Sequence, residues 1–310
     1  MTALVPTRAD VEGAAIRLQS LVRRTPVLLV HGSEIGVPGE LALKLELLQH
    51  TGSFKARGAL NSVLSLEAGV SGVAAASGGN HGAAVAWAAA QIGISADIFV
   101  PDHAPQAKVE RIRGHSATVH LVPGFVHDAL EQATAFAARS GVALIHPYDQ
   151  FSTVCGAGTV GLEVAEQVPG AAQVLVACGG GGLYAGVAAA LDGIVPVTPV
   201  EPVACPSLSR AVQQGGPVAV AVGGVAVDSL GAGTAGRMAF ARAHTDGVRV
   251  PLVSEEAIIE ARGWLWNRCR ILAEAGAAVP VAALMSGVVA VHPGSTVVAL
   301  VSGGNSPTIP

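Results

Sequence analysis

Charged and aromatic residues are scarce in this sequence of 310 residues, at 13% and 4% of the total. The formal net charge at pH 7 is only −4. No basic surface for nucleic acid or an anionic membrane is therefore indicated, and we expect neither as a partner. Because 51% of the residues are hydrophobic, the composition argues against disorder. An ordinary soluble enzyme fits these properties best.

Paired cysteines are absent as well. The four cysteines (Cys155, Cys178, Cys205 and Cys269) are widely scattered and form no C-x-x-C motif of the kind used for zinc or dithiol chemistry. We expect reduced, mostly buried thiols in a cytoplasmic protein. The first residues lack a basic segment followed by an apolar one, so we also expect no secretory signal.

One uncharged run, residues 174–191, is long enough to suggest a membrane span. Four consecutive glycines lie inside it, and each would weaken a helix by about 1 kcal/mol relative to alanine. We therefore interpret the run as a strand, a glycine loop and a helix.

Apolar runs of strand length recur along the chain, each near a glycine-containing turn and often before an alanine-rich helical stretch. The predicted strands are Val73–Ala76, Ala96–Val100, Val174–Cys178, Val197–Val200 and Thr296–Val301. Strands that alternate with helices predict the α/β class, with a parallel sheet covered on both faces. The length exceeds the usual size of one domain, so we expect two lobes.

Three glycine-rich segments stand where predicted strands end: SGGNH at 77–81, GGGG at 179–182 and SGGN at 302–305. In parallel sheets, ligands bind beyond the carboxyl ends of strands, where backbone N–H groups of the next helix face outward. Three such ends in one chain predict one ligand that is held from several sides.

Only three of the 18 basic residues are lysines. We expect Lys44 to lie on a strand and pair with Glu46 on the same face, and Lys108 to be solvated on a helix. Lys55 follows the N-cap residues at 51–53 and opens a predicted helix. The positive end of the helix dipole disfavours its ammonium form, so this amine is suited to attack a carbonyl.

The segment LALKLELLQHTGSFKARGAL resembles the lysine segment of the fold-type II pyridoxal-phosphate family, most closely its serine/threonine dehydratase branch. Further motifs recur in the expected order: RTP at 24–26, SGGNHG, GAGT at 156–159, CGGGGLYAG, VEP at 200–202 and SGGN. The resemblance covers nearly the whole chain.

This resemblance implies a two-lobe, tryptophan synthase β-like architecture with parallel-sheet cores. Pyridoxal 5'-phosphate would lie in the cleft between the lobes. The large, cofactor-binding domain would comprise residues 1–46 and 149–310, and the small, mobile substrate domain residues 47–148. A homodimer is expected from the family alone.

The resemblance also implies a role for each motif. Lys55 would hold the cofactor as an imine and, once displaced by the amino acid, take its α-proton. The residues implied to bind the cofactor are Phe54, Lys55, Asn80, Gly179, Gly180, Gly181, Gly182, Leu183 and Ser302. Those implied to bind the substrate are Ser77, Gly78, Gly79, Asn80 and His81.

The implied reaction is β-elimination, which converts an L-hydroxyamino acid such as serine or threonine into a 2-oxo acid and ammonia. Ser302 offers the pyridine nitrogen no full negative charge, which suits this reaction better than transamination. Racemases of the family carry serine at the position of Gly78, so we expect weak racemisation or none. Relatives that bind a cation have a second acidic residue where Ser207 stands, six positions after Glu201, so we expect no metal.

Two alternatives remain open from the sequence. A β-replacement enzyme, such as a cysteine synthase or threonine synthase, typically has threonine where His81 stands. A nicotinamide-dependent dehydrogenase would explain GGGLYA at 180–185 followed by Glu201, but it leaves TGSFK and SGGNH unexplained. Few residues follow SGGN, so we expect no C-terminal regulatory domain.

Overall fold

A computed structural model describes residues 5–306 and 308–310. The strands are β1 (Val27–His31), β2 (Glu40–Leu45), β3 (Gly72–Ala76), β4 (Ser95–Pro101), β5 (Thr118–Val122), β6 (Ala143–Leu144), β7 (Gln173–Ala177), β8 (Val197–Pro202), β9 (Leu252–Val253) and β10 (Thr296–Val301). The α-helices are α1 (Arg8–Leu18), α2 (Lys55–Leu64), α3 (Asn80–Ile92), α4 (Gln106–Arg113), α5 (Val126–Ser140), α6 (Phe151–Gln167), α7 (Gly182–Ala190), α8 (Ser207–Gln214), α9 (Val227–Leu230), α10 (Arg237–Asp246), α11 (Glu255–Cys269) and α12 (Ala275–Met285).

These strands form two sheets. The larger has the order β1-β2-β10-β7-β8-β9, and the smaller has the order β5-β4-β3-β6. Neighbouring strands are parallel except for the β1–β2 pair. The smaller sheet takes its strands from residues 72–144, whereas the larger takes strands from both ends of the chain. The predicted α/β class with parallel-sheet cores is confirmed; the exact division into two domains stays a prediction.

Helix α6 carries the GAGT motif and packs closely against both α2 and α7. A Cβ atom on Gly156 would lie 2.6 Å from the backbone oxygen of Arg57 in α2, and one on Gly158 would lie 2.5 Å from that of Gly186 in α7. Real Cβ atoms do not approach so closely, so these glycines allow backbone-to-backbone contact. The contact fixes helix α2, which begins at Lys55.

Buried charged side chains join β2, α2 and α6. Lys44 Nζ lies 2.5 Å from a carboxylate oxygen of Glu163 and donates to the carbonyl oxygen of Thr25 at 2.7 Å. Arg57 donates to both carboxylate oxygens of Glu46, each at 2.7 Å, and lies 2.7 Å from the other oxygen of Glu163. The predicted Lys44–Glu46 pair is therefore wrong, because Glu46 lies beyond the end of β2, where the strand alternation stops.

Lys108 also differs from its prediction as a solvated side chain. Its Nζ lies 3.1 Å from Oδ2 of Asp228, and the lysine side chain is only 21% exposed. This ion pair joins α4 to α9. The sequence of α4 does not show that a distant helix faces it, so the prediction was wrong.

The uncharged run at 174–191 forms β7, a glycine loop and α7, as predicted. Among the described residues, no helix combines the length and apolar character that crossing a bilayer requires. The cysteines are unpaired, and three of the four are buried, as expected.

Candidate active site

Lys55 opens helix α2, as the sequence predicts, but the chain before it is held differently from the expected side-chain cap. The N-cap residue is Phe54, and no side chain caps the helix. Instead, Ser53 forms a β-bridge with Gly303, and the N–H group of Phe54 donates to the carbonyl oxygen of Ser302 at 3.0 Å. The TGSFK and SGGN segments therefore lie side by side at the carboxyl end of β10.

The ε-amine of Lys55 is poorly solvated. Its Nζ donates to the carbonyl oxygen of Pro147 at 2.6 Å and lies 5.0 Å from the centroid of the Phe54 ring. Burial disfavours the ammonium form and lowers the pKa of Lys55 to about 8. Near neutral pH this amine is uncharged far more often than an ordinary lysine, as attack on a carbonyl requires.

The glycine loop between β7 and α7 presents a row of backbone donors. Within the described part of the chain, the N–H groups of residues 179–184 donate to no acceptor, although the segment is buried. Buried N–H groups nearly always have a partner, and those at a helix N-terminus favour anions. The loop thus has the chemistry that the prediction for Gly179 to Leu183 requires.

Each glycine in this loop is required by its surroundings. Gly181 has φ +83°, in the left-handed region that side chains disfavour. A Cβ atom on Gly180 would collide with the ring of Tyr148, and one on Gly182 would lie 2.5 Å from the Tyr148 backbone oxygen. Because Tyr148 follows Pro147, one short segment contacts both the glycine loop and the lysine amine.

A second set of free donors lies at the start of helix α3. Gly79 is the N-cap residue, and no side chain caps this helix. The N–H group of Gly79 donates to Ser77 Oγ at 3.1 Å, whereas those of Gly78, Asn80 and His81 have no acceptor among the described residues. A carboxylate at this helix start would accept from the free groups.

The imidazole of His81 is buried and neutral. Its Nε2 lies 2.9 Å from the carbonyl oxygen of Ile145, so Nε2 carries the proton, because a carbonyl oxygen only accepts. Burial lowers the pKa of His81 to about 3. The ring therefore fastens α3 to the chain after β6, and the free N–H group of the backbone is the donor this residue offers to a ligand.

Ser302 lies directly after β10 and is 9% exposed. Its carbonyl oxygen is occupied by the Phe54 N–H group, whereas its hydroxyl bonds to no other described residue. A free hydroxyl at the carboxyl end of a central strand is what the predicted contact to the pyridine nitrogen requires.

The side chain of Asn80 forms hydrogen bonds with Glu274 and Asn305, and the sequence did not predict the first of these. Its Nδ2 donates to both carboxylate oxygens of Glu274, at 2.8 and 2.9 Å, and its Oδ1 accepts from Asn305 Nδ2 at 2.8 Å. Burial raises the pKa of Glu274. The signal that could have found Glu274 is its position as the only charge in an apolar stretch, residues 271–285.

The arrangement suits pyridoxal phosphate, with an anion-binding loop, a free hydroxyl and an amine of lowered pKa. It does not suit a dinucleotide, because Glu201 is fully buried and accepts from the N–H groups of Leu208 and Ser209 at 2.7 and 2.8 Å. Burial raises the pKa of Glu201 to about 7. Since Glu201 caps helix α8, it is not free to bind a ribose, and the dehydrogenase alternative is rejected.

Curated relatives match nearly the whole chain. The L-threonine ammonia-lyase of Geobacter sulfurreducens is 37% identical over 302 residues, which cover 95% of this chain and 74% of that protein. The catabolic L-threonine dehydratase TdcB of Staphylococcus aureus is 34% identical over 312 residues, which cover 98% of this chain and 90% of that protein.

Solved structures agree with these matches. A threonine deaminase from T.th. has a TM-score of 0.89 at 35% identity and covers 98% of this chain and 100% of that one. A maize serine racemase has a TM-score of 0.91 at 29% identity, covering 98% and 94%. The family described as "Pyridoxal-phosphate dependent enzyme" matches residues 18–303. The chain is therefore a member of the family of pyridoxal-phosphate dependent enzymes.

Proposed function

We propose that this enzyme converts an L-hydroxyamino acid, such as serine or threonine, into a 2-oxo acid and ammonia by β-elimination. The observation that carries the proposal is the convergence of the Lys55 amine with three glycine-rich strand ends. Two of these ends carry free backbone donors, and the third carries a free hydroxyl. The relatives named threonine ammonia-lyase and threonine dehydratase support the same reaction.

Each part of the site has a proposed task in holding the cofactor. Lys55 would bind it covalently, the N–H groups at 179–183 would donate to its phosphate, and Phe54 would pack beside its ring. The Ser302 hydroxyl would meet the pyridine nitrogen. When bound, pyridoxal phosphate supplies an aldehyde that carries the amino acid and a ring that accepts the electron pair released at Cα.

The chain's own groups handle the substrate and its protons. The free N–H groups of Gly78, Asn80 and His81, with the Ser77 hydroxyl, would bind the α-carboxylate at the start of α3. The Lys55 amine, which its lowered pKa leaves uncharged more often than an ordinary lysine, would take the α-proton as a general base. The β-hydroxyl would take up a proton and leave as water, and a water molecule would then hydrolyse the released enamine to the 2-oxo acid and ammonia.

Two residues favour elimination over related reactions. The neutral hydroxyl of Ser302 cannot balance a full positive charge on the pyridine nitrogen, so electron withdrawal stays mild and suits a substrate with a leaving group. Gly78 has no side chain to protonate Cα from the opposite face. A Cβ atom there would lie 3.0 Å from Val100 Cγ1 and 3.2 Å from Ala104 Cβ, so a side chain would crowd this wall.

The predicted small domain, residues 47–148, contains both Lys55 and the segment 77–81 that would bind the substrate. The glycine loop and Ser302 instead follow strands of the larger sheet. Closure of the small domain over the substrate would exclude water from the reacting carbon. A cytoplasmic homodimer completes the proposal. Light scattering of the purified protein would measure its mass in solution.

A panel of amino acids tests the proposed reaction. We expect ammonia and a 2-oxo acid from L-serine, L-threonine or L-3-hydroxyaspartate, because each has a β-hydroxyl, and none from L-alanine, which lacks a leaving group. Both products can be measured in coupled assays. Reaction of an O-acylated serine with a thiol, without elimination from any hydroxyamino acid, would instead support β-replacement.

The rate at which the cofactor-free protein takes up pyridoxal phosphate is expected to depend on pH. Only the uncharged amine condenses with an aldehyde, and the pKa of Lys55 is about 8. Below that pH the rate should rise about tenfold per unit and then level off, whereas an ordinary lysine keeps rising towards about pH 10. Stopped-flow absorbance at a series of pH values on either side of that pKa measures this rate. A rate that still climbs steeply well above the pKa would contradict its lowered value.

A further inference from the structure

The carboxylate of Glu274 has only neutral partners among the described residues. The Asn80 side chain and the N–H group of Asn305, at 2.9 Å, donate to it. Lys108 and Arg111 of helix α4 line the same cavity, of about 190 Å³, without an ion pair to it. Because this carboxylate neutralises no neighbouring cation in the described part of the chain, its main effect is to orient the groups that donate hydrogen bonds to it.

The hydrogen-bond directions around Asn80 follow from Glu274. An ionised carboxylate only accepts, so the amide nitrogen of Asn80 must face it and the amide oxygen must face Asn305. The Asn305 side-chain nitrogen also donates to the carbonyl oxygen of Thr51 at 2.8 Å, which fixes its own orientation. While Glu274 is ionised, these hydrogen bonds therefore allow only one orientation of the Asn80 amide group.

We propose that Glu274 is a positioning residue, which acts through Asn80 on the bound cofactor. One hydrogen of Asn80 Nδ2, directed between the two carboxylate oxygens, satisfies both contacts and leaves the second hydrogen for a ligand. The carboxylate also polarises the amide, which strengthens the second bond. The inference rests on the proposed contact of Asn80 with the phenolic oxygen of the cofactor.

The substitution Glu274→Gln tests this role. Glutamine has the shape of glutamate, but its amide N–H group can face the N–H groups of Asn80 and Asn305, which cannot accept a hydrogen bond. Its effect is measured in the otherwise unchanged protein and in Asn80→Ala, as the Kd for pyridoxal phosphate and as kcat/KM. We expect a loss of about tenfold in the unchanged protein. In Asn80→Ala the loss should fall below about twofold, because Glu274 then has no side chain to orient.

Equal losses in both backgrounds, or no loss in either, would overturn the inference. Glu260→Gln changes an exposed carboxylate on α11 and should leave both constants unchanged. Thermal unfolding of each variant detects loss of the fold, which by itself would lower both constants equally in the two backgrounds. If Glu274→Gln does not fold, Asn305→Ala removes the other partner of Asn80 and must show the same dependence on background.

A different result would contradict the proposed function: the unchanged protein would release no ammonia from any of the hydroxyamino acids tested. The cofactor Kd values of the same four proteins would still decide the role of Glu274, because they require no turnover.

Discussion

Lys55→Ala is expected to lower turnover by at least about 10³-fold and to abolish covalent attachment of the cofactor. General base catalysis alone contributes about 10²- to 10⁴-fold, and here the same amine also anchors the cofactor. The lowered pKa of this amine and its contact with the carbonyl oxygen of Pro147 suit both tasks. Intact mass after borohydride reduction measures the attachment, and ammonia release measures turnover.

The control for this experiment is simple because the sequence has only three lysines. Lys108→Ala should keep the added mass and most of the activity, since Lys108 pairs with Asp228 rather than with any group proposed to react. Lys44 has no exposed surface and is bonded to Glu163. Added cofactor on Lys108 or Lys44 in a digest of the reduced protein would contradict the assignment to Lys55.

Arg57→Met is expected to reduce the free energy of unfolding by about 3–5 kcal/mol, because it leaves the buried carboxylate of Glu46 without its ion-pair partner. That loss is a large part of the ~5–15 kcal/mol typical of whole proteins. Arg57 is 1% exposed and Glu46 is fully buried, so water cannot replace the lost bonds. Urea unfolding followed by circular dichroism measures the change.

The matched control is Arg24→Met, which breaks an ion pair with Glu166 in which both side chains are more than half exposed. Exposed pairs contribute about 0–1 kcal/mol, so this variant should unfold almost as the unchanged protein does. If Arg57→Met reduced the free energy of unfolding equally little, the buried ion pairs of Arg57 would not stabilise helix α2 as their burial indicates.

Much of the site was predictable because its signals are local. The segments that begin at 77, 179 and 302 are marked by glycines that directly follow apolar strand patterns, and β10 has the predicted bounds. Lys55 was predicted in the first turn of a helix from the residues at 51–53 and the helical pattern that follows it. Such features depend on a few neighbouring residues, which one sequence displays.

The errors all involve partners from distant parts of the chain. Thr51 and Ser53 look like helix caps, but Thr51 has φ 60° and Ser53 pairs with Gly303, so neither caps α2. Lys44 looked like a partner of Glu46 because both stand near one strand, yet Glu163 of α6 binds it. Glu274 was missed because only the fold brings it to Asn80.

The burial of Lys44 also has a practical consequence for handling this enzyme. Lys44 is enclosed, and the cofactor would occupy Lys55, so the ion-paired Lys108 is the remaining lysine amine. Acylating dyes or cross-linkers aimed at lysine side chains would then attach to the loaded enzyme at one defined place on α4. Loss of the cofactor would add a second such place at Lys55, and the extent of labelling of Lys55 in a digest would report occupancy.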